Sequence, residues 1–88
     1  MEKFIDDDDG YLRWTAVHTD GFVLNTFRKP RPSYLRLHRS TCTMILGRPA
    51  NGQRWTTTYI KLCGRQDELE SWAKNVVQGA VWACPRCT

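Results

Sequence analysis

Two hydrophobic periodicities divide the chain. Residues 11–18 read YLRWTAVH, in which Leu12, Trp14 and Ala16 alternate with Arg13, Thr15 and Val17, the pattern of a half-buried strand. Thr19-Asp20-Gly21 is turn chemistry, and residues 22–27, FVLNTF, form a second strand, so the two predict a hairpin. Residues 28–33, RKPRPS, hold two prolines that cannot donate to a ladder, which makes them a loop or an edge. Residues 34–38, YLRLH, alternate again as a third strand. Residues 39–46, RSTCTMIL, suit a short helical turn capped by Ser40 or Thr41. Asn51-Gly52 is a turn signal, and the β-branched and aromatic run of residues 55–63, WTTTYIKLC, predicts a fourth strand.

The period then changes. Over residues 66–78, QDELESWAKNVVQ, Leu69, Trp72, Ala73, Val76 and Val77 fall on one helical stripe. Asp67, Glu68 and Glu70 open this helix, Lys74 lies late in it, and Gly79 stands at the C′ position. Val81-Trp82-Ala83 is a short apolar strand leading into Cys84-Pro85-Arg86-Cys87. The fold class expected is α+β, an antiparallel sheet of about four to five short strands with one main helix near the C-terminus. The aspartate run in MEKFIDDDDG repels itself and buries nothing, so residues 1–10 are expected to be a disordered acidic leader and residues 11–88 a single domain.

At 88 residues that domain has a marginal core, and domains of this size often need a disulfide, a metal or a partner. Four cysteines and two histidines supply the means. No segment reads as a signal peptide or a membrane span, which points to the cytoplasm, where clustered cysteines hold metal more often than they pair. Cys84-x-x-Cys87 is half of a tetrahedral zinc site, because two intervening residues let both thiolates face one point. A redox pair would want the motif at the start of a helix, and here it follows a strand and is followed only by Thr88. His38-x-x-x-Cys42 is the candidate second half, giving His38, Cys42, Cys84 and Cys87 as zinc ligands. Cys63 competes with His38 for the fourth position, and alone it reads as a small buried hydrophobe. His18 has no cysteine neighbour and reads as structural.

The order of His38-Arg39-Ser40-Thr41-Cys42, a strand at residues 59–62, a helix at residues 66–78 and Trp82-Ala83-Cys84-Pro85-Arg86-Cys87 resembles the N-terminal metal-binding domain of the Ada DNA-repair protein. The resemblance covers about residues 34–87, with a longer spacer between the two ligand pairs. It implies a zinc fold and contact with DNA. In that family the first of four zinc-binding cysteines also accepts a methyl group from a DNA phosphotriester. His38 stands at that position here, and an imidazole lacks the nucleophilic thiolate, so the resemblance argues against the repair activity. A methyl acceptor on this chain would have to be Cys42.

Charge adds a partner. The formal net charge is +4, and no acidic residue lies between Asp20 and Asp67, an interval holding nine of the 13 basic residues. Arg28, Lys29, Arg31, Arg36, Arg39, Arg48 and Arg54 are candidate phosphate ligands, with Tyr34, Trp55 and Tyr59 placed to stack on bases. Trp72 and Trp82 are read as core. These features predict a non-catalytic module that binds nucleic acid, DNA before RNA, with no membrane partner. The alternative is a protein-interaction domain that docks a partner through its acidic leader or basic face. A hydrolase is disfavoured, because no HExxH, paired carboxylates or Ser-His-Asp arrangement is present.

Overall fold

The computed structural model describes residues 1–47 and 54–87. Five strands, β1 (Glu2–Phe4), β2 (Phe22–Phe27), β3 (Leu35–Arg39), β4 (Tyr59–Gly64) and β5 (Trp82–Ala83), form one sheet in the order β1-β4-β2-β3-β5. All neighbours are antiparallel except β3 and β5. Helices α1 (Asp8–Val17), α2 (Thr43–Leu46) and α3 (Gln66–Trp72) complete the α+β fold.

Register sorts the core into two layers. Val23 stands opposite both His38 and Cys63, so these three share a face. That face packs with Tyr11 of α1 and Ile45 of α2, and Phe4, Cys42 and Cys84 join the same cluster. One residue on, Leu24 stands opposite Leu37 and Leu62, and this row meets Leu69 and Ala73 from the C-terminal helix. Alternation along each strand therefore separates a cysteine-rich layer from an aliphatic one.

Residues 1–10 are not a leader. β1 pairs with β4, and Phe4 is buried. The aspartates act as a helix start: Asp7 accepts the Gly10 amide at 2.9 Å, and Asp8 and Asp9 occupy the first turn, where the helix dipole favours negative charge. Asp8 also accepts from the Thr56 amide at 2.9 Å and the Thr56 hydroxyl at 2.5 Å, and Asp6 donates its amide to the Thr56 carbonyl at 2.7 Å. Long-range hydrogen bonds to a buried threonine thus override the mutual repulsion of the carboxylates.

That capped start also makes residues 11–18 helical, against the expected strand. The buried positions are Tyr11 and Thr15, four apart, with Trp14 partly buried between them, while Ala16 is exposed. With that strand gone the hairpin expected of residues 11–18 and 22–27 does not form, and β2 pairs instead with β3 and β4. The α2 start is Cys42, which makes no side-chain cap; Ser40 is buried and donates to the His18 carbonyl. The expected turn at Asn51-Gly52 lies outside the described residues.

The C-terminal helix is present, and Glu68 caps it by accepting the Arg65 amide at 2.9 Å. Its last turn, Ala73–Val77, is π-helical. The extra residue per turn rotates the stripe, and Val76 turns outward to 65% exposure. Gln78, with φ 61°, takes the left-handed position expected of Gly79. Gly79 serves close approach instead: a Cβ there would lie 2.8 Å from Leu35 and 2.9 Å from Pro32. Among the described residues, no helix is long and apolar enough to cross a membrane.

Candidate metal centre

Three segments converge on one point. Alternation along β3 turns His38 to the Val23 face, and two tight turns follow: the Cys42 amide bonds the Arg39 carbonyl at 3.0 Å, and the Cys42 carbonyl accepts the Ile45 amide at 3.1 Å. These place the Cys42 thiol back over the end of β3. β5 runs alongside, its register extended by a 2.8 Å bond from the Cys84 amide to the Leu37 carbonyl. The CxxC knuckle then closes with the Cys87 amide 3.4 Å from the Cys84 carbonyl. As a result His38, Cys42, Cys84 and Cys87 bring one ligand atom each within 4.8 Å of all the others. His38, Cys42 and Cys84 are buried, and Cys87 is partly exposed. All four cysteines are free thiols.

The surroundings suit a cation held by thiolates. A zinc tetrahedron with sulfur at about 2.3 Å spaces its sulfurs about 3.8 Å apart, so the observed cluster needs only small side-chain movements to close on the ion. The Nδ1 atom of His38 is buried without a hydrogen-bond partner, an arrangement that a metal ion would satisfy. Burial, with the positive charges of Lys61 and Arg36, holds the His38 pKa below its ordinary value and keeps a lone pair available. Burial opposes ionisation of Cys84, but the Arg86 amide and the Cys87 and Cys42 thiols outweigh it and lower its pKa. Cys87 moves the other way, pushed up to about 11 by burial and by the thiols of Cys42 and Cys84. The Cys84 thiol therefore ionises before that of Cys87, and a bound cation would compensate the charge of both thiolates. The Arg39 amide faces the Cys87 sulfur at 3.3 Å, and its guanidinium donates to the Cys87 carbonyl at 2.6 Å, which fixes the knuckle from outside.

Cys63 is not part of this group. It is fully buried in β4, and burial pushes its pKa up to about 12. Cys63→Ser is therefore expected to keep full metal stoichiometry. The hydroxyl it places in the core lowers unfolding stability by roughly 1–3 kcal/mol, measurable by denaturant titration of the metal-loaded protein.

The candidate nucleic-acid residues separate into two groups. Asp6 receives Arg28 through both guanidinium nitrogens at 2.7 and 3.1 Å, and Asp8 pairs with Arg54 at 3.2 Å. The acid-free interval thus has counter-charges, supplied from residues distant in sequence. Trp55 donates to the Gly47 carbonyl at 3.2 Å and packs on the core, so it is not a free stacking surface. Arg48 lies outside the described residues. Arg36 stacks between Tyr34 and Trp82, and Lys29 and Arg31 are exposed on the loop before Tyr34. Among the described residues, Lys29, Arg31, Arg36 and Arg39 have no carboxylate within salt-bridge distance.

Two further residues lie elsewhere than the sequence predicts. Trp82, read as core, is 47% exposed; its place two residues before Cys84 is the signal that puts it on the same side of the sheet as Cys84 and His38. Lys61, one of the nine basic residues of the acid-free interval, is buried and donates to Asn25 at 2.8 Å and to the Trp55 carbonyl at 2.5 Å. Burial brings its pKa down to about 8. Comparisons with protein families, curated proteins and solved structures return no match for this chain.

Proposed function

We propose that this chain is a zinc-stabilised, non-catalytic module that binds nucleic acid, DNA before RNA, in a reducing compartment such as the cytoplasm. The observation that carries the reading is the buried convergence of one imidazole and three thiols drawn from two distant stretches of sequence. Three soft sulfurs and one nitrogen within 4.8 Å of one another suit zinc better than magnesium or calcium, which take oxygen ligands. All four positions are protein side chains, so the ion is a structural staple with no open coordination site for chemistry. An Ada-like methyl transfer has little support, because His38 replaces the acceptor and Cys42 is only 5% exposed.

The nucleic-acid half of the reading is supported by Lys29, Arg31, Arg36 and Arg39, cations without carboxylate partners among the described residues. Docking of a protein through the acidic leader loses its basis, since Asp6 and Asp8 are engaged within the fold. The test is the salt dependence of binding. Phosphate contacts release counterions, so log affinity against log salt has a slope of about −0.7 to −0.9 per phosphate neutralised. Replacing Lys29 and Arg31 together with alanine is expected to flatten the slope by about 1.4 to 1.8, while Arg28→Ala, which breaks an internal pair, changes it less. Absence of binding to duplex, single-stranded DNA and structured RNA near physiological salt contradicts the reading.

A further inference from the structure

We infer that the outer end of the sheet face bearing the metal group is a platform for unpaired bases. Trp82 and Tyr34, bridged by Arg36, stack with the bases, and Lys29 and Arg31 take the adjoining phosphates of a single strand. The inference rests on the nucleic-acid reading above and deepens it by naming the form of the strand.

The strand period brings the parts together. Arg36 and His38 lie at alternate positions and so share one side of β3, and Tyr34, just before the strand, meets the Arg36 guanidinium. The register of β5 sets Trp82 directly beside Arg36. The Arg36 guanidinium lies 4.3 Å from the Trp82 ring centre and 5.0 Å from that of Tyr34, a stack of three planar groups. The aromatic surface continues from Tyr34 to Phe27 at 5.0 Å and to Tyr59 at 5.2 Å, with Phe27 and Tyr59 stacked at 5.8 Å. A cavity of about 310 Å³ lined by Phe27, Arg28, Lys29 and Arg31 begins where the aromatic surface ends.

Charge and shape select the ligand. Arg28 is engaged by Asp6, which leaves Lys29 and Arg31 to meet an anion in that cavity. Planar rings beside free cations fit a ligand that alternates planar π-faces with negative charge. An unpaired base on its sugar phosphate has that form, and base-on-aromatic stacking tolerates any sequence. A duplex keeps its base faces inside its own stack and offers this surface phosphates alone, and an acidic peptide offers charge without planar faces. The metal group also supports the platform. β5 has only two residues in the sheet, and Trp82 is anchored through Cys84 and Cys87 just beyond it.

The experiment is fluorescence anisotropy with the full chain, loaded with zinc, near physiological salt. The probes are a labelled oligothymidylate, an abasic strand of the same length and charge, and a duplex of that length. Oligothymidylate is expected to bind about 10-fold or more tighter than the abasic strand. Trp82→Ala removes most of that difference while leaving abasic affinity, zinc content and melting temperature unchanged. Arg36→Gln is expected to give the same loss and serves as the second variant if Trp82→Ala does not retain zinc. Equal affinity for oligothymidylate and the abasic strand overturns the platform and leaves the phosphate-binding reading standing, as does tighter binding of the duplex. No binding to any probe overturns both. Displacement of oligothymidylate by a polyglutamate peptide that itself requires Trp82 overturns the platform in favour of a protein partner.

Discussion

Removing the metal is expected to unfold this domain. The four candidate ligands come from β3, the turn into α2 and the C-terminal knuckle, so an ion held there would join segments separated by more than 40 positions, from Cys42 to Cys84. A structural zinc site contributes about 10–16 kcal/mol of apparent binding free energy, comparable to or larger than the 5–15 kcal/mol total stability of ordinary domains. Without the ion, the Cys42 and Cys84 thiols remain packed against Tyr11, Ile45 and Val23, and Nδ1 of His38 stays buried with no hydrogen-bond partner. Chelation should therefore abolish the cooperative thermal transition seen by circular dichroism, and Cys84→Ser and Cys42→Ser should do the same without chelator. Acid acts in the same direction. Protons compete with the ion for each thiolate, so affinity falls as pH falls. The lowered pKa of His38 keeps the imidazole neutral further into the acid range than a free histidine. A Cys84→Ser protein that retains zinc and a wild-type melt would contradict the assignment.

Deleting residues 1–10 is expected to be nearly as damaging. The segment contributes the β1 pairing of Glu2 with Cys63 and Phe4 with Lys61, the Asp7 cap of α1, and both Asp8 bonds to Thr56. Phe4 is 9% exposed, and truncating a core phenylalanine costs about 3–5 kcal/mol by itself. Losing Asp8 leaves the fully buried Thr56 amide and hydroxyl without their acceptor, a further 1–3 kcal/mol or so. Together these reach the whole stability of a small domain, so the truncated chain should show no cooperative melt even when supplied with zinc. Phe4→Ala and Asp8→Ala, each less severe, should lower the denaturant midpoint of the metal-loaded protein. An unchanged melting curve after truncation would return the segment to the role of a disordered leader.

This contrast shows where sequence patterns are informative. β2, β3 and the C-terminal helix follow from local periodicity, because their buried positions are set by a sheet face or a helix stripe within one segment. The His38, Cys42, Cys84 and Cys87 cluster is legible for a related reason: short spacings bring two side chains together in each half, and alternation directs His38 and Cys84 to one face. What decided residues 1–18 was not local. Four aspartates look like repulsion until Thr56, nearly fifty positions away, is in place to hold Asp8. The same long-range contacts neutralise Arg28 and Arg54, which no count of charges along the chain reveals. Gly79 illustrates a further limit. Its requirement comes from the approach of Pro32 and Leu35, and the left-handed turn that glycine signals belongs to Gln78.

The most direct test of the central claim is zinc K-edge X-ray absorption on protein purified without added metal, with stoichiometry from elemental analysis. The predicted result is one zinc per chain with three sulfurs at about 2.3 Å and one nitrogen at about 2.0–2.1 Å. That shell should lose its nitrogen in His38→Ala and stay unchanged in Cys63→Ser. A zinc-free protein, or a four-sulfur shell that loses a sulfur in Cys63→Ser, would contradict it.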